Sequence, residues 1–224
     1  MAIKRMLDNG CRAMDRTLTP EILDVLPVND SRAIQSRRDL RRINRLMGNI
    51  RWWQRTVARA VRPDERVLEI GAGDAAFSPL PNRMVDALDR MPRPAHWPRR
   101  ARWHRVSAQS FTAWSDYDAV IGNLVFHHFG GRELRDLGAC MAERCRVIAA
   151  CEPRRARRFQ VAFAALAEWV LTSDVTRHDG MASIAAGFRD DELPRALGLD
   201  KNLWSIRIDQ TLRGAYRMLA VRRN

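Results

Sequence analysis

A glycine pair directly after a short apolar run is the strongest local chemical signal in the sequence. The run VLEI leads into GAGDAAF, so Gly71 and Gly73 flank Ala72 and precede a segment compatible with a helix. Glycine permits a tight turn and lets a ligand approach the backbone, because no Cβ stands in the way. Glu69 stands just before the pair, where a carboxylate suits a cationic amino-acid ligand better than a pyrophosphate, which it would repel.

A second acidic residue follows at the end of the next apolar run, MVDALD. This residue is Asp89, 20 positions after Glu69. A carboxylate at this place in an α/β fold accepts hydrogen bonds from the hydroxyls of a ribose. Together the glycine turn and the acid predict a nucleoside-containing cofactor. The alternative is a glycine turn that serves only local packing, together with an aspartate on the surface.

Three histidines are candidates for a general base. His127 and His128 follow the apolar run YDAVIGN, which ends at Asn123, and His178 stands beside Asp179. An imidazole with a pKa near 6.5 suits proton transfer at neutral pH, and a neighbouring aspartate can orient it. The alternative for each histidine is a packing role. Their irregular spacing, with no matching set of acids or cysteines, predicts no metal site.

The elements that must position these residues alternate between helical and strand patterns. An amphipathic helix is predicted from Asp30 or Ser31, either of which can cap it, to Gly48, and a second helix ends before Pro63. Short β-prone runs separated by crossovers predict a parallel sheet, and the last two runs predict an antiparallel pair. The runs cover residues 66 to 70, 84 to 89, 117 to 123, 145 to 151, 203 to 209 and 214 to 223.

Residues 154 to 189 exceed what one crossover requires and predict an inserted lid or substrate-binding segment. The segment contains an apolar helix near residues 159 to 171 and lies beyond the carboxyl edge of the sheet, where α/β folds bind ligands. The candidate substrate contacts are Trp53, Arg154, Arg177 and Asp179. The alternative for the arginines is a solvated surface position. The alternative for Trp53 is a core position, which is the commoner one for aromatic residues at helical spacing.

Length and composition predict a single folded domain. The chain has 224 residues, 46% hydrophobic and 29% charged, and four cysteines, too few for a disulfide framework. No apolar run approaches the roughly 18 residues of a membrane span, so a cytoplasmic location is predicted. The net charge of +13 favours an anionic partner only weakly, because arginine-rich composition can also reflect codon usage.

In the order and spacing of these pieces the sequence resembles the class I S-adenosylmethionine-dependent methyltransferases. The matching stretches are VLEIGAGDA, ALD, YDAVIGNLVFHH, CRVIAACEP and GAYRMLAVRR, within about residues 62 to 222. Two features depart from the family pattern: Ala75 replaces a glycine, and the acid that often follows strand three is absent. The resemblance implies a doubly wound α/β methyltransferase domain over residues 62 to 224, with a mostly parallel seven-stranded sheet, behind an N-terminal helical cap over residues 1 to 61.

The resemblance also implies a role for each matched residue. Glu69, Gly71, Ala72 and Gly73 would surround the methionine moiety of S-adenosylmethionine, and Asp89 would bind its ribose. Asn123 would lie beside the transferable methyl group. Ser107 and Ala108 stand where the missing acid would contact the adenine. The flanking stretches DLRRINRLMGN and VTRHDGMASIAAGFRDDELP resemble bacterial small-molecule methyltransferases found with type III polyketide synthases.

We therefore expect O-methylation of a phenolic or polyketide-type hydroxyl, with His128 as the first candidate for the base, His178 the second and His127 the third. C-methylation of an electron-rich ring is equally compatible with the sequence. RNA methylation, favoured by the charge, and a role as a non-catalytic cofactor-binding partner protein also stay open. A monomer or homodimer is expected. Specific nucleic-acid binding is not expected, because the sequence contains no RNA-binding module and no Asn/Asp-Pro-Pro-aromatic turn that would hold an extruded base.

Overall fold

A seven-stranded sheet forms the centre of the protein. The structure, a computed structural model, describes residues 14–73, 80, 83–170 and 173–223. The strands are β1 (Val67–Ile70), β2 (Val85–Asp89), β3 (Trp103–Arg105), β4 (Ala119–Asn123), β5 (Val147–Pro153), β6 (Trp204–Gln210) and β7 (Ala215–Arg222). Their order is β3-β2-β1-β4-β5-β7-β6. The first five strands pair in parallel, whereas β7 is antiparallel to β5 and β6, which confirms the predicted sheet.

Helices cover both faces of the sheet. They are α1 (Ser31–Leu46), α2 (Asn49–Trp52), α3 (Gly131–Arg144), α4 (Arg157–Val170), α5 (Asp174–Ala186) and α6 (Glu192–Ala196). From α2 the chain continues through a π-helical turn, Trp53–Val57, into a last α-helical turn, Ala58–Ala60. The helix expected directly after Gly73 lies outside the described residues. No helix of the described segments is long and apolar enough to cross a membrane.

The central strands are buried because each face of the sheet has its own apolar cluster. On one face, Leu68 and Ile148 pack with Leu134 and Met141 of α3. On the other face, residues of β1, β4 and β5 pack against Trp52, Trp53 and Val57. Burial on both faces explains why β5 is a continuous apolar run without polar alternation until Glu152.

The first predicted helix of the N-terminal region starts at Ser31 with Asp30 as its N-cap, as the sequence predicted. Among the described residues before it, residues 14–30, here called the N-terminal strap, are not helical. Pro20 and Pro27 disfavour helix in the strap, because proline lacks a backbone N–H and restricts the preceding residue. The strap is held instead by long-range hydrogen bonds. Asp179 of α5 accepts from the backbone N–H groups of Ile22 and Leu23, each at 2.9 Å.

The predicted insertion, residues 154 to 189, contains two helices. Helix α4 starts at Arg157, two residues before the expected start, and α5 packs against both α4 and α1. Helix α5 is capped by Ser173, whose backbone N–H donates to the buried Asp39 of α1 at 3.0 Å. The insertion and the N-terminal region therefore form one packed layer beside the sheet.

Candidate active site

A cavity of about 1170 Å³ opens at the carboxyl ends of β1, β2 and β4. The strap, α1, α4 and the turn between β6 and β7 complete its walls. All eight residues that the sequence analysis assigned to the cofactor line it: Glu69, Gly71, Ala72, Gly73, Asp89, Ser107, Ala108 and Asn123. This position agrees with the general rule that open α/β sheets bind ligands where the strand order reverses.

The two glycines of the turn after β1 serve different purposes. Both have positive φ, +66° at Gly71 and +60° at Gly73, a region that L side chains rarely adopt. A Cβ at Gly71 would lie 2.5 Å from Cγ2 of Val125, so close packing requires this glycine. Among the described residues, none would lie within 4 Å of a Cβ at Gly73. In that part of the chain, Gly73 therefore leaves space where a ligand can approach the backbone.

Glu69 presents a buried carboxyl group at the cavity. The residue is 3% exposed, and its Oε2 has no hydrogen-bond partner within the described part of the chain. Burial, with a smaller contribution from the Asp89 carboxylate, raises the pKa of Glu69 to about 8. Because an unpaired buried carboxylate is costly, a cationic group placed in the cavity would be stabilised beside it.

Asp89 ties the glycine turn to the loop after β2. Its Oδ2 accepts from the backbone N–H of Gly73 at 2.7 Å, and its Oδ1 accepts from that of Met91 at 2.7 Å. A carboxylate oxygen accepts more than one hydrogen bond, so both oxygens retain capacity for ligand hydroxyls. Asp89 thus fixes the turn and offers acceptors to the cavity.

The segment after β3, which lacks the acid expected from the family pattern, is ordered by the hydroxyl groups of its own serines. Ser107 caps the 3₁₀ turn Ala108–Ser110 by accepting from the backbone N–H of Ser110 at 3.2 Å. Gln109 donates to Glu133 at 2.9 Å, and both of these residues line the cavity. A carboxylate is therefore present at this wall, supplied by α3 rather than by the segment after β3.

Asn123, at the end of β4, is held from the core side. Its Oδ1 accepts from Nε1 of Trp53 at 3.4 Å. Trp53 is fully buried and does not line the cavity. It therefore occupies a core position, the alternative to the predicted substrate contact. Leu124 follows with φ +57°, an uncommon conformation for a non-glycine residue that marks a sharp turn out of the strand.

Glu152 of β5 shapes the turn that carries the histidine pair. The side chain is fully buried, and its Oε1 accepts from the backbone N–H groups of Val125 at 3.0 Å and Phe126 at 2.8 Å. Its Oε2 accepts from the backbone N–H of His127 at 3.3 Å and lies 2.6 Å from Nδ1 of the same residue. One buried carboxylate thereby holds the turn Phe126–His128 against the sheet.

His127 lies between two carboxylates. Its Nδ1 faces Glu152, and its Nε2 lies 3.3 Å from Oε1 of Glu21 in the strap. Burial alone would lower the pKa of this imidazole, but Glu152 and Glu21 outweigh burial and raise the pKa to about 9. His127 therefore carries a proton at neutral pH, which disfavours it as a base.

His128 also lines the cavity and lies beside a carboxylate that can orient it. Its Nδ1 lies 3.3 Å from Oδ2 of Asp24, and its Nε2 lies 3.9 Å from Oε2 of Glu21. The side chain is 28% exposed and lines the cavity. The hydrogen bond with His128 lowers the pKa of Asp24, so this carboxylate is ionised at neutral pH. Asp24 and His128 thus form an aspartate–histidine dyad.

The same cluster has the composition of a metal site. Glu21, His127 and His128 each place one potential ligand atom within 4.8 Å of the others. In this structure the atoms contact one another: Glu21 accepts from Ser183 and lies against both imidazoles. No local motif in the sequence indicates this grouping, because Glu21 and His127 are 106 residues apart.

The remaining sequence candidates lie outside the cavity lining. The His178 side chain is 51% exposed, and its Nδ1 lies 2.9 Å from Oδ1 of Asp179. Asp179 anchors the strap instead of facing a substrate. Arg154 donates to the Thr211 carbonyl at 3.3 Å, and Arg177 also lies outside the lining. In their place the strap supplies Glu21 and Asp24, which no local motif in the sequence revealed.

Comparison with known proteins identifies the fold. No family model and no curated protein matches the sequence. The plantazolicin methyltransferase BpumL, in complex with a triazolic desmethylPZN analog and SAH, matches at TM-score 0.63 and 12% identity, over 88% of this chain and 92% of that chain. The pyocyanin biosynthetic protein PhzM matches at TM-score 0.56 and 15% identity, over 90% and 60% of the two chains.

A third solved structure has the same fold. Magnesium protoporphyrin IX methyltransferase (ChlM) from Synechocystis PCC 6803, with bound SAH, matches at TM-score 0.51 and 15% identity, over 90% of this chain and 91% of that chain. At such low identities the matches show the fold, which is the Rossmann-like fold of the class I methyltransferases, as the sequence resemblance implied.

Proposed function

We propose that this chain, which has the class I methyltransferase fold, transfers a methyl group from S-adenosylmethionine to a hydroxyl group of a small molecule. The observation that carries the proposal is the buried carboxylate of Glu69, whose Oε2 has no hydrogen-bond partner among the described residues, beside Gly73 and the acceptors of Asp89. A ligand that bears both an ammonium group and a ribose satisfies this combination of groups. The SAH bound to BpumL and ChlM is consistent with the proposal.

The residues present fit this cofactor one group at a time. Glu69 would bind the ammonium group, Asp89 the ribose hydroxyls, and the backbone at Gly73 would allow close approach of the chain. Ser107 and Ala108 line the wall expected for the adenine, and Asn123 stands at the end of β4, where the methyl group is expected. The cofactor supplies an activated methyl group on a positively charged sulfur. What remains for the protein is to align the acceptor and remove its proton.

Proton removal falls to His128 in this proposal. A phenol with a pKa near 10, as for tyrosine, is mostly protonated at neutral pH and needs a base to react. His128 lines the cavity, and Asp24 fixes its orientation and stabilises the imidazolium that forms. Glu21 lies 3.9 Å from the other ring nitrogen and adds further negative potential. The dyad therefore has the components of an oriented general base.

The wall of the cavity between α1 and α4 favours a mainly apolar acceptor. The apolar side chains that line it include Leu40, Ile43, Met47, Phe159 and Phe163. Such a surface suits the aromatic or polyketide-type acceptor inferred from the sequence, because apolar ligands gain most from leaving water. The desmethylPZN analog, pyocyanin and protoporphyrin named for the matched proteins are also small molecules.

Two measurements test the proposal. Mass spectrometry of the purified protein should find co-purifying S-adenosylmethionine or SAH, and a screen of phenolic acceptors should find methylated products. Single-turnover kinetics should then show a roughly 100-fold loss of rate in His128→Ala with cofactor affinity nearly unchanged, because the base acts mainly in the transition state.

Matched variants separate the dyad from a general effect of mutation. Asp24→Asn should lower the rate by a smaller factor, whereas His178→Ala, which removes an exposed imidazole outside the cavity, should remain near wild type. Absence of SAH binding would refute the cofactor assignment. A normal rate in His128→Ala would refute only the assignment of His128 as the base.

A further inference from the structure

Helix α4 is an apolar helix that the rest of the protein leaves largely uncovered. Its sequence is RRFQVAFAALAEWV, yet among its described side chains only Ala167 is buried. Trp169 is 88% exposed and Leu166 60% exposed. A contiguous patch of large exposed apolar side chains usually marks a contact with another molecule. The exposed face of α4 is therefore a candidate contact surface.

This surface continues around the mouth of the cavity. Leu166, Leu46 at the end of α1 and Leu212 in the β6–β7 turn line the cavity, yet they are 60%, 58% and 88% exposed. Trp169 follows Leu166 by three residues, so the two side chains lie on the same side of α4. We call these four residues the apolar rim. They form an exposed border that is continuous with the apolar interior of the cavity.

Arginines accompany the apolar rim. Arg45 precedes Leu46, Arg213 follows Leu212, and Arg157 and Arg158 begin α4; all four side chains are exposed. The chain as a whole has a net charge of +13. A second copy of the chain would bring the same positive charges to this face and be repelled. A negatively charged surface would be attracted to the arginines while the apolar side chains leave water.

We propose that the apolar rim docks on the surface of an anionic phospholipid bilayer. Apolar side chains flanked by arginines are the pattern of helices that lie in the membrane interface, and each arginine near an anionic leaflet adds electrostatic attraction. At 14 residues α4 is shorter than the roughly 20 that a span requires, so it would lie along the surface. If the proposed function is correct, the cavity opens toward the bilayer and receives an acceptor with a hydrocarbon tail.

Vesicle flotation of the full chain tests the docking. We expect binding to vesicles of phosphatidylcholine with phosphatidylglycerol, weaker binding to phosphatidylcholine alone, and a loss of binding as salt rises. The double variant Trp169→Ser/Leu212→Ser should lower the partition coefficient about tenfold or more, because two large apolar side chains no longer leave water. Leu203→Ser is the matched control, since Leu203 is 52% exposed but lies at the opposite end of the β6–β7 hairpin from Leu212.

The outcomes distinguish membrane docking from self-association and from no contact at all. No binding to anionic vesicles, or equal binding by the double variant, would overturn the proposal. A dimer seen by light scattering that the double variant abolishes would also overturn it, because a second copy would then cover α4. Calorimetry with SAH is measured in parallel: retained SAH affinity in the double variant shows that the fold is intact. Failure of docking with normal SAH binding leaves the proposed function unaffected.

Discussion

The buried carboxylate of Glu69 makes cofactor binding depend on pH in a defined direction. Its pKa is raised to about 8 by burial and by Asp89, so the ligand-free protein holds a proton on this group at neutral pH. An ammonium group binds the ionised carboxylate and not the neutral acid. Binding of SAH, which carries the same ammonium group as the cofactor, should therefore release a proton and tighten as pH rises.

The size of the effect follows from the pKa. If SAH binds only when Glu69 is ionised, its apparent dissociation constant equals the value at high pH multiplied by a factor. That factor is one plus ten to the power (pKa − pH), where the pKa is that of Glu69. With a pKa of about 8, affinity should fall roughly 20-fold between about pH 7.5 and about pH 6, and about 0.9 proton should be released at about pH 7. Over this pH range most SAH molecules still carry a protonated ammonium group.

Titration calorimetry with SAH, in buffers that differ in ionisation enthalpy, measures both quantities. Glu69→Gln should bind SAH more weakly, with little dependence on pH and no proton release. Ser107→Ala changes another residue of the cavity wall and should keep the wild-type slope. A flat wild-type profile, or the same slope in Glu69→Gln, would show that Glu69 does not pair with the ammonium group.

Three further predictions concern the cofactor turn and the charge. Asp89→Ala should weaken SAH binding by about 10- to 100-fold in calorimetry, because charge-assisted hydrogen bonds are lost; unchanged affinity would remove Asp89 from the site. Gly71→Ala should lower the free energy of unfolding by about 1 to 3 kcal/mol in denaturant titrations. Gly73→Ala should cost less, because only Gly71 would also contact Val125, and equal losses would contradict that explanation. RNA binding in filter assays should be indifferent to sequence and collapse as salt rises; methylation of one defined RNA at physiological salt would refute this expectation.

Local sequence patterns predicted the sheet and the residues that line the cavity at the carboxyl ends of β1, β2 and β4. The strands β1, β4 and β5 are short apolar runs, and the turn at Gly71 requires a residue type that is visible in the sequence. Such signals depend on neighbours within a few residues, so they can be interpreted without knowledge of the fold. The same reasoning placed Asn123 and His128 at the carboxyl edge of the sheet.

The two acids beside the histidines could not be predicted in this way. Glu21 and Asp24 meet the histidines only because Asp179 and other groups hold the strap across the sheet edge. A contact across more than 100 residues leaves no periodicity or spacing to detect. Local adjacency gave the contact but not its place: Asp179 lies 2.9 Å from His178, but the pair is outside the cavity lining and the carboxylate also anchors the strap.

The strap also gives the two halves of the site different resistance to unfolding. The wall of the cavity at the strand ends is built on buried, hydrogen-bonded strands, whereas the strap contains no helix or strand and is held by separate contacts, among them those of the Asp179 carboxylate and of Arg16 with the carbonyls of His127 and Phe129. Segments outside helices and sheets open locally at lower free energy than the core does. In mild denaturant the protein should therefore keep its affinity for SAH while losing turnover, since opening the strap removes Glu21 and Asp24 from the histidines before the sheet unfolds.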